Sequence, residues 1–304
     1  GESLIAQVSL YEIACQRYNN DPFFLSVLQQ CYRYTDRNFG EALQNNIEIP
    51  QVTSMETWPS VHFKETGYAV LRSGTKTVVM KYGPHGGGHG HPDKLSISIH
   101  DGEKEIVSDM GTCAYGVPAF TKWYRKTLSH STLTVDAKDQ KESTGKLLAF
   151  KAYKDGGEVS AEAPDAYSGV TMERKLILKK NKLTDILTAR SDEQHLYDYV
   201  LILTEKPVFS QTGEVIILND SPSYNYIKNA IVQKQSSPLS CKIGKAYMKI
   251  EVSEGQEFEV ITGEAPGIPP GNGSVLSKYD SPFCYPLIVR VKDKKLRIKT
   301  EWKF

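Results

Sequence analysis

The sequence predicts a mainly β protein, a large antiparallel β-sandwich preceded by a few α-helices. Three observations carry this. From residue 51 onward, short segments alternate apolar and polar side chains with the period of two that half-buries a strand. Turn residues punctuate these segments, most clearly at Asp101-Gly102, and no helical stretch separates one from the next. That spacing belongs to antiparallel hairpins, because parallel strands need long crossovers. Before residue 50 the apolar period is helical instead. The expected organisation is therefore 1–50 as helices and 51–304 as the sandwich.

Taken in order, residues 2–18 read as a helix, and "DPFFLSVLQQCYRYTD" opens another. Asp21 is placed to cap it, Pro22 suits its first turn, and Phe24, Val27, Leu28 and Cys31 share one face. Strands are expected in "TGYAVLRSG", "TKTVVMKY", "KLSISIHDGEKEIVSD", "KLLAFKAY", "RKLILKKNKLTDILTA", "GEVIILN", "AYMKIEV", "EFEVIT" and "PLIVRVKDKKLRIKTEW". These supply about a dozen strands. The basic runs "KKNK" and "KDKK" are assigned to hairpin turns as solvated charge, and "GEAPGIPPGNGS" (263–274) to a long loop.

Composition limits the function classes. A chain of 304 residues with 39% hydrophobic content can bury one large core or two smaller ones. The net charge of +1 gives no general attraction to nucleic acid, although a local basic cleft remains compatible with it. No apolar run reaches the roughly 18 residues of a membrane span. Five scattered cysteines without a CxxC pair argue against both a disulfide scaffold and a cysteine-rich zinc module. The opening "GESLIAQ" lacks an initiator methionine and a signal peptide, so the chain is expected to be a fragment.

"GPHGGGHGHPDK" (83–94) concentrates three of the seven histidines, His85, His89 and His91, in seven positions. His89 and His91 directly precede a strand, and the hairpin folded at Asp101-Gly102 returns to Asp109, bringing it toward His91. His130, in "YRKTLSHSTLTVD", precedes another strand and offers a third ligand. Two imidazoles and a carboxylate with one open position suit zinc. A plain Gly/His loop with surface histidines is the competing reading. A cupin-type metal enzyme would place glutamate four or five residues after the second histidine, where Leu95 and Ser96 stand. Cys113 shows no sign of an activated thiol, and Ser129 beside His130 makes no triad. A non-catalytic carbohydrate-binding sandwich stays open.

The same residues resemble a known family. "GYAVLRSG", "GPHGGGHGHPDKLSISIHDGEKEIVSDMGTCAYG" and "WYRKTLSHSTLTVD" resemble the β-sandwich half of heparinase II/III-like polysaccharide lyases, nearest to the exo-acting oligoalginate and heparin lyase branch. The resemblance is strong over residues 60–136 and weak beyond. It implies an α/α toroid packed on the sandwich with the cleft between them, so residues 1–50 look like the last helices of a toroid lying otherwise upstream. It implies zinc on His91, Asp109 and His130, and a catalytic role for His89. Relatives usually read His-Asn-Thr where this chain has His130-Ser131-Thr132. The implied chemistry is β-elimination at a uronic acid of an acidic polysaccharide, in a periplasmic or secreted enzyme. A tyrosine with a histidine or asparagine on the toroid would share the work. Arg125 is expected to bind the substrate's anionic groups, and Tyr115, Trp123 and Tyr124 to stack on its rings.

Overall fold

The computed structural model describes residues 8–32, 58–102, 104–253, 255–268 and 282–304. They fall into two compact units, the helical residues with Trp58 and the strands from Pro59 onward. In the first, α1 (Val8–Arg17) and α2 (Pro22–Tyr32) bury Val8, Cys15, Leu25, Val27, Leu28 and Cys31 in a core of their own. Asp21 caps α2, its Oδ1 accepting the N–H of Phe23 at 2.9 Å. Residues 2–7 and the expected boundary at 50 lie outside the described residues.

The second unit holds seventeen strands among the described residues. β1 (Val61–Phe63), β2 (Tyr68–Ser73), β3 (Lys76–Lys81), β4 (Ser96–Asp101), β5 (Lys104–Val107) and β6 (Leu133–Val135) flank the loops that carry the histidines. β7 (Lys146–Tyr153), β8 (Gly156–Tyr167), β9 (Val170–Lys179) and β10 (Lys182–Leu203) form a meander. The rest are β11 (Val208–Phe209), β12 (Glu214–Ile216), β13 (Lys228–Gln235), β14 (Leu239–Ile243), β15 (Ala246–Val252), β16 (Phe258–Pro266) and β17 (Phe283–Lys303). Their pairings are antiparallel, and they join in one hydrogen-bonded network.

The two longest strands organise the layers. β10 pairs with β17 from Lys182↔Lys303 to Leu203↔Tyr285, with a register shift between Arg190 and His195. Its first half also pairs with β9 and its second half with β6. Tyr199 to Leu203 are all fully buried because both faces of the strand are covered. Tyr199, Leu201 and Leu203 enter the main core, while Val200 and Ile202 meet Trp123, Tyr124, Leu128 and Tyr224 in a second one. A strand buried on both sides needs an unbroken apolar run, which "YVLIL" provides.

Two sequence expectations are corrected. "KKNK" does form the β9–β10 turn, where Lys179 pairs with Lys182. "KDKK" (292–295), however, lies inside β17 opposite the irregularity in β10. Asp293 Oδ1 accepts the N–H groups of Lys294 and Lys295 there, at 2.6 and 3.4 Å. A side chain thus satisfies backbone groups where the ladder lapses, and the strand bends without reversing. In the expected loop 263–274, residues 263–266 continue β16, and residues from 269 lie outside the described set.

Candidate active site

The histidine loop joins β3 to β4 and is shaped by its glycines. Gly87 has φ +62°, open to glycine at no steric cost, and it starts the short 3₁₀ turn Gly87–His89. A Cβ on Gly90 would lie 2.6 Å from the Gly86 nitrogen and 2.7 Å from His85 Nε2, so the loop closes on itself only with glycine there. The chain then re-enters the sheet through Leu95, a fully buried non-glycine residue at φ +60°. Such a conformation costs about 1–3 kcal/mol and persists only where its surroundings fix it.

Side chains from the His130 segment and the core provide that fixing. Arg125 Nη2 donates to the Gly90 carbonyl (3.0 Å), Thr127 Oγ1 to that of Pro92 (2.8 Å) and Thr132 Oγ1 to that of Lys94 (2.5 Å). Gln140 Oε1 accepts the Lys94 N–H at 2.7 Å. Arg174 Nη1 donates to both the Leu95 carbonyl (2.8 Å) and the Ser131 carbonyl (2.6 Å). A loop too rich in glycine and proline to pair as a strand is thereby held, carbonyl by carbonyl, against the residues around His130.

This brings the expected ligands together as a chain of contacts. His91 Nδ1 lies 3.3 Å from His130 Nε2, and His130 Nδ1 lies 2.8 Å from Asp109 Oδ2. Two imidazoles bound at about 2.0–2.1 Å to one tetrahedral zinc stand roughly 3.3 Å apart, nitrogen to nitrogen, so the His91–His130 spacing fits that ion. Asp109 engages the other nitrogen of His130, the position of a carboxylate that orients a ligand. The atoms that converge within 4.8 Å of one another belong to Asp93, Asp109 and His130. Asp93 was not foreseen as part of the cluster. It is buried, with Lys81 Nζ at 2.5 Å from Oδ2 and Lys94 Nζ at 3.6 Å from Oδ1.

The electrostatics follow from these neighbours. Burial and the adjacent His130 push His91 down to about 4, which keeps it neutral and able to coordinate a metal. Burial works against a charged His130 as well, but the Asp109 carboxylate outweighs it and the pKa is raised. At Asp109 desolvation is overcome by His130 and by the Gly111 N–H, and the carboxyl is held well below its usual range. Because 46% of the Asp109 side chain remains open to solvent, this pair orients more than it stabilises. Lys94, buried with no hydrogen-bond partner on Nζ, is lowered by burial.

His89 stands apart from the ligand chain. It is exposed, and its Nδ1 lies 3.0 Å from the hydroxyl of Tyr115, itself 68% exposed. Tyr115 was expected as a stacking ring, and the contact of its hydroxyl with His89 was not foreseen from the sequence. Arg125 is half-buried beside them, over the Phe120 ring at 5.6 Å, with one N–H committed to Gly90. Trp123 and Tyr124 are not available to a sugar. Both are buried in the second core, with Trp123 Nε1 donating to the Pro266 carbonyl (3.0 Å) and the Tyr124 hydroxyl to that of Gly267 (2.7 Å). His85 lies 3.4 Å from Glu142, away from the pair.

Residues 55–201, which span the histidine loop, Asp109, Tyr115 and His130, match the family described as heparinase II/III-like, C-terminal. Just under half of the chain is thus similar to a heparinase II/III-like C-terminal domain. Among relatives of this domain, an exo-oligoalginate lyase of Saccharophagus degradans is 29% identical over 150 residues, 41% of this chain and 20% of that protein. An alginate lyase of Stenotrophomonas maltophilia is 28% identical over 162 residues, 44% of this chain and 22% of that protein. The fold is shared with a heparan sulfate lyase from Pedobacter heparinus, at TM-score 0.66 and 15% identity, over 99% of this chain and 42% of that one. A heparinase III matches with the same TM-score at 12% identity, over 99% and 41%. The chain thus spans about a fifth of the length of the alginate lyases it matches. Among its described residues no helix is long and apolar enough to cross a membrane.

Proposed function

We propose that this chain is the C-terminal part of a polysaccharide lyase that cleaves a uronic-acid-containing polysaccharide, of the alginate or heparin and heparan sulfate class, by β-elimination. The contact between His89 Nδ1 and the Tyr115 hydroxyl, solvent-facing and on the same loop as His91, carries this reading. Elimination needs a base for the C5 proton, an acid for the departing oxygen, and positive charge or N–H donors on the carboxylate that acidifies C5. His89 serves as the base. As the C5–H electrons form the C4–C5 double bond and the C4–O bond breaks, Tyr115 protonates the leaving glycosidic oxygen. The hydrogen bond between the two then returns the proton from imidazolium to phenolate, and the pair is reset. Arg125 and the exposed Gly86–Gly88 backbone face the anionic substrate.

His91 Nδ1 and His130 Nε2 would hold a zinc ion, with Asp109 orienting His130 through its other nitrogen and Asp93 close to that pair. When bound, the ion supplies fixed positive charge beside the cleft. The family resemblance implies that a tyrosine and a histidine or asparagine of an N-terminal toroid share this work, in a periplasmic or secreted parent. An open half-cleft orients a sugar poorly, so the 304-residue chain alone is expected to turn over little, and its toroid-bearing parent to be active. Incubation of both with alginate, heparin and heparan sulfate, followed by the ultraviolet absorbance of unsaturated uronate, tests this. No absorbance from the parent with any of them refutes the reading.

A further inference from the structure

The face of the sheet turned away from the main core carries a feature that the active site does not use. Tyr153, Gly156, Lys179, Lys182, Lys303, Tyr247 and Lys242 are successive register partners across β7, β8, β9, β10, β17, β15 and β14. Their chain neighbours Leu178, Leu183, Trp302 and Met248 are buried in the core, so by strand alternation this row points outward. Its four lysines and Tyr247 are exposed. At roughly 4.8 Å per strand the six steps span about 29 Å.

The demands of folding do not explain this row. Like charges directly opposite each other in a ladder are destabilising, yet Lys179, Lys182 and Lys303 are direct cross-strand neighbours on three interior strands. Two rows away, Lys299 is neutralised by Glu251 and Glu301. Among the described residues, Lys179, Lys182 and Lys303 form no such ion pair. An aromatic ring stands at one end of the row and next to the other, with Lys179 Nζ 5.3 Å from the Tyr153 ring centre and Lys242 Nζ 5.8 Å from that of Tyr247. The row also lies far from the histidine loop. Ser73 Oγ is 2.6 Å from Asp155 Oδ1 and 2.7 Å from the Lys180 carbonyl, so the turns after β2, β7 and β9 meet at one end. β3 then runs six residues from that end, about 20 Å, before the histidine loop begins.

We propose that this row is a second, non-catalytic binding strip for an extended acidic polysaccharide, the lysines matching a line of carboxylates or sulfates and the two tyrosines stacking on pyranose rings. The partner class rests on the lyase reading above, and the strip would anchor a polymer whose other segment occupies the cleft. A linear polyanion fits a single straight row of unpaired cations, and sugar rings fit the two tyrosines.

The test is binding of the 304-residue chain to alginate and heparin by calorimetry at low salt, beside duplex DNA. It compares wild type, the triple variant Lys179→Ser/Lys182→Ser/Lys303→Ser, and the control Lys299→Ser. Three exposed ion pairs of ordinary strength predict about a tenfold loss of polysaccharide affinity in the triple variant. Its melting temperature should be unchanged or higher, because mutual repulsion is removed, and Lys299→Ser, whose charge is already neutralised by Glu251 and Glu301, should bind as wild type does. Undiminished binding by the triple variant overturns the proposal. So does the absence of polysaccharide binding by wild type, or DNA binding as tight as that of alginate. The lyase reading fails separately, if the parent releases no unsaturated uronate while the strip still binds.

Discussion

Replacing Arg174 with leucine should damage this protein out of proportion to one side chain. The guanidinium is fully buried, with Nε and Nη2 bound to Asp185 at 2.9 and 2.6 Å and Nη1 bound to the carbonyls of Leu95 and Ser131. Its removal strands a buried carboxylate, at about 3–5 kcal/mol. It also takes the donor from the Leu95 carbonyl, at about 1–3 kcal/mol, while the Ser131 carbonyl keeps the N–H of Ile97 at 3.2 Å. The sum approaches the whole stability of a typical domain, about 5–15 kcal/mol. Urea unfolding followed by tryptophan fluorescence should show a grossly lowered midpoint or no native baseline. The double variant Arg174→Leu/Asp185→Leu removes both charges and should recover much of the loss. The Leu95 carbonyl stays without its donor in it and the Ser131 carbonyl keeps only the Ile97 N–H, so the strained Leu95 and the spacing between His91 and His130 are loosened and zinc affinity stays reduced. A single variant within about 1 kcal/mol of wild type, or a double variant as unstable as the single, refutes the reasoning.

Two further outcomes follow from the ligand chain. Protein purified without chelator should hold about one zinc per chain, and Asp109→Asn should weaken its retention about 10- to 100-fold by elemental analysis and chelator competition, as expected when an orienting or ligating carboxylate is lost. A folded, metal-free wild type would contradict this. In the metal-free chain, His91 is held down to about 4 against an ordinary value near 6.5, so between these pH values the unfolded chain binds a proton that the native state does not. His91 therefore contributes stability that is full above about pH 6.5 and is lost as pH falls toward 4. Asp109, depressed by His130, adds a loss at still lower pH, whereas the raised His130 acts with the opposite sign, favouring the fold below about pH 6.5. Urea midpoints from pH 7.5 to 4 should fall less steeply for His91→Gln than for wild type, and parallel curves would contradict the assignment.

What was legible in the sequence was local. Asp21 caps its helix and the Asp101-Gly102 hairpin forms and returns toward Asp109, because each depends on nearby chain geometry, whereas His130, 39 positions from His91, could be offered only as a further histidine before a strand. The bonds that fix the site were hidden by distance along the chain. Gln140 and Arg174 reach the histidine loop from 46 and 79 positions away, and Tyr115 reaches His89 from 26. Asp93 and Lys94 read as a polar loop end, and only the fold shows them buried. Trp123 and Tyr124 misled for a different reason, since an aromatic ring suits a core and a sugar platform equally until its burial is known. β8, "GGEVSAEAPDAY", has little intrinsic strand preference and is formed by pairing between β7 and β9. "KDKK" has the composition of a turn but occupies a bend within β17.

The most direct test of the account is the turnover of the toroid-bearing parent on alginate or heparan sulfate, measured for wild type, His89→Ala and Tyr115→Phe with zinc content and melting temperature recorded alongside. Loss of a general acid or base predicts a drop of roughly 100- to 10,000-fold in kcat for each variant, with zinc and melting temperature near wild type. His85→Ala should change little. Full activity in His89→Ala and Tyr115→Phe would show that the pair is a bystander, and loss of zinc from His89→Ala would mean that His89, not His91, is the ligand.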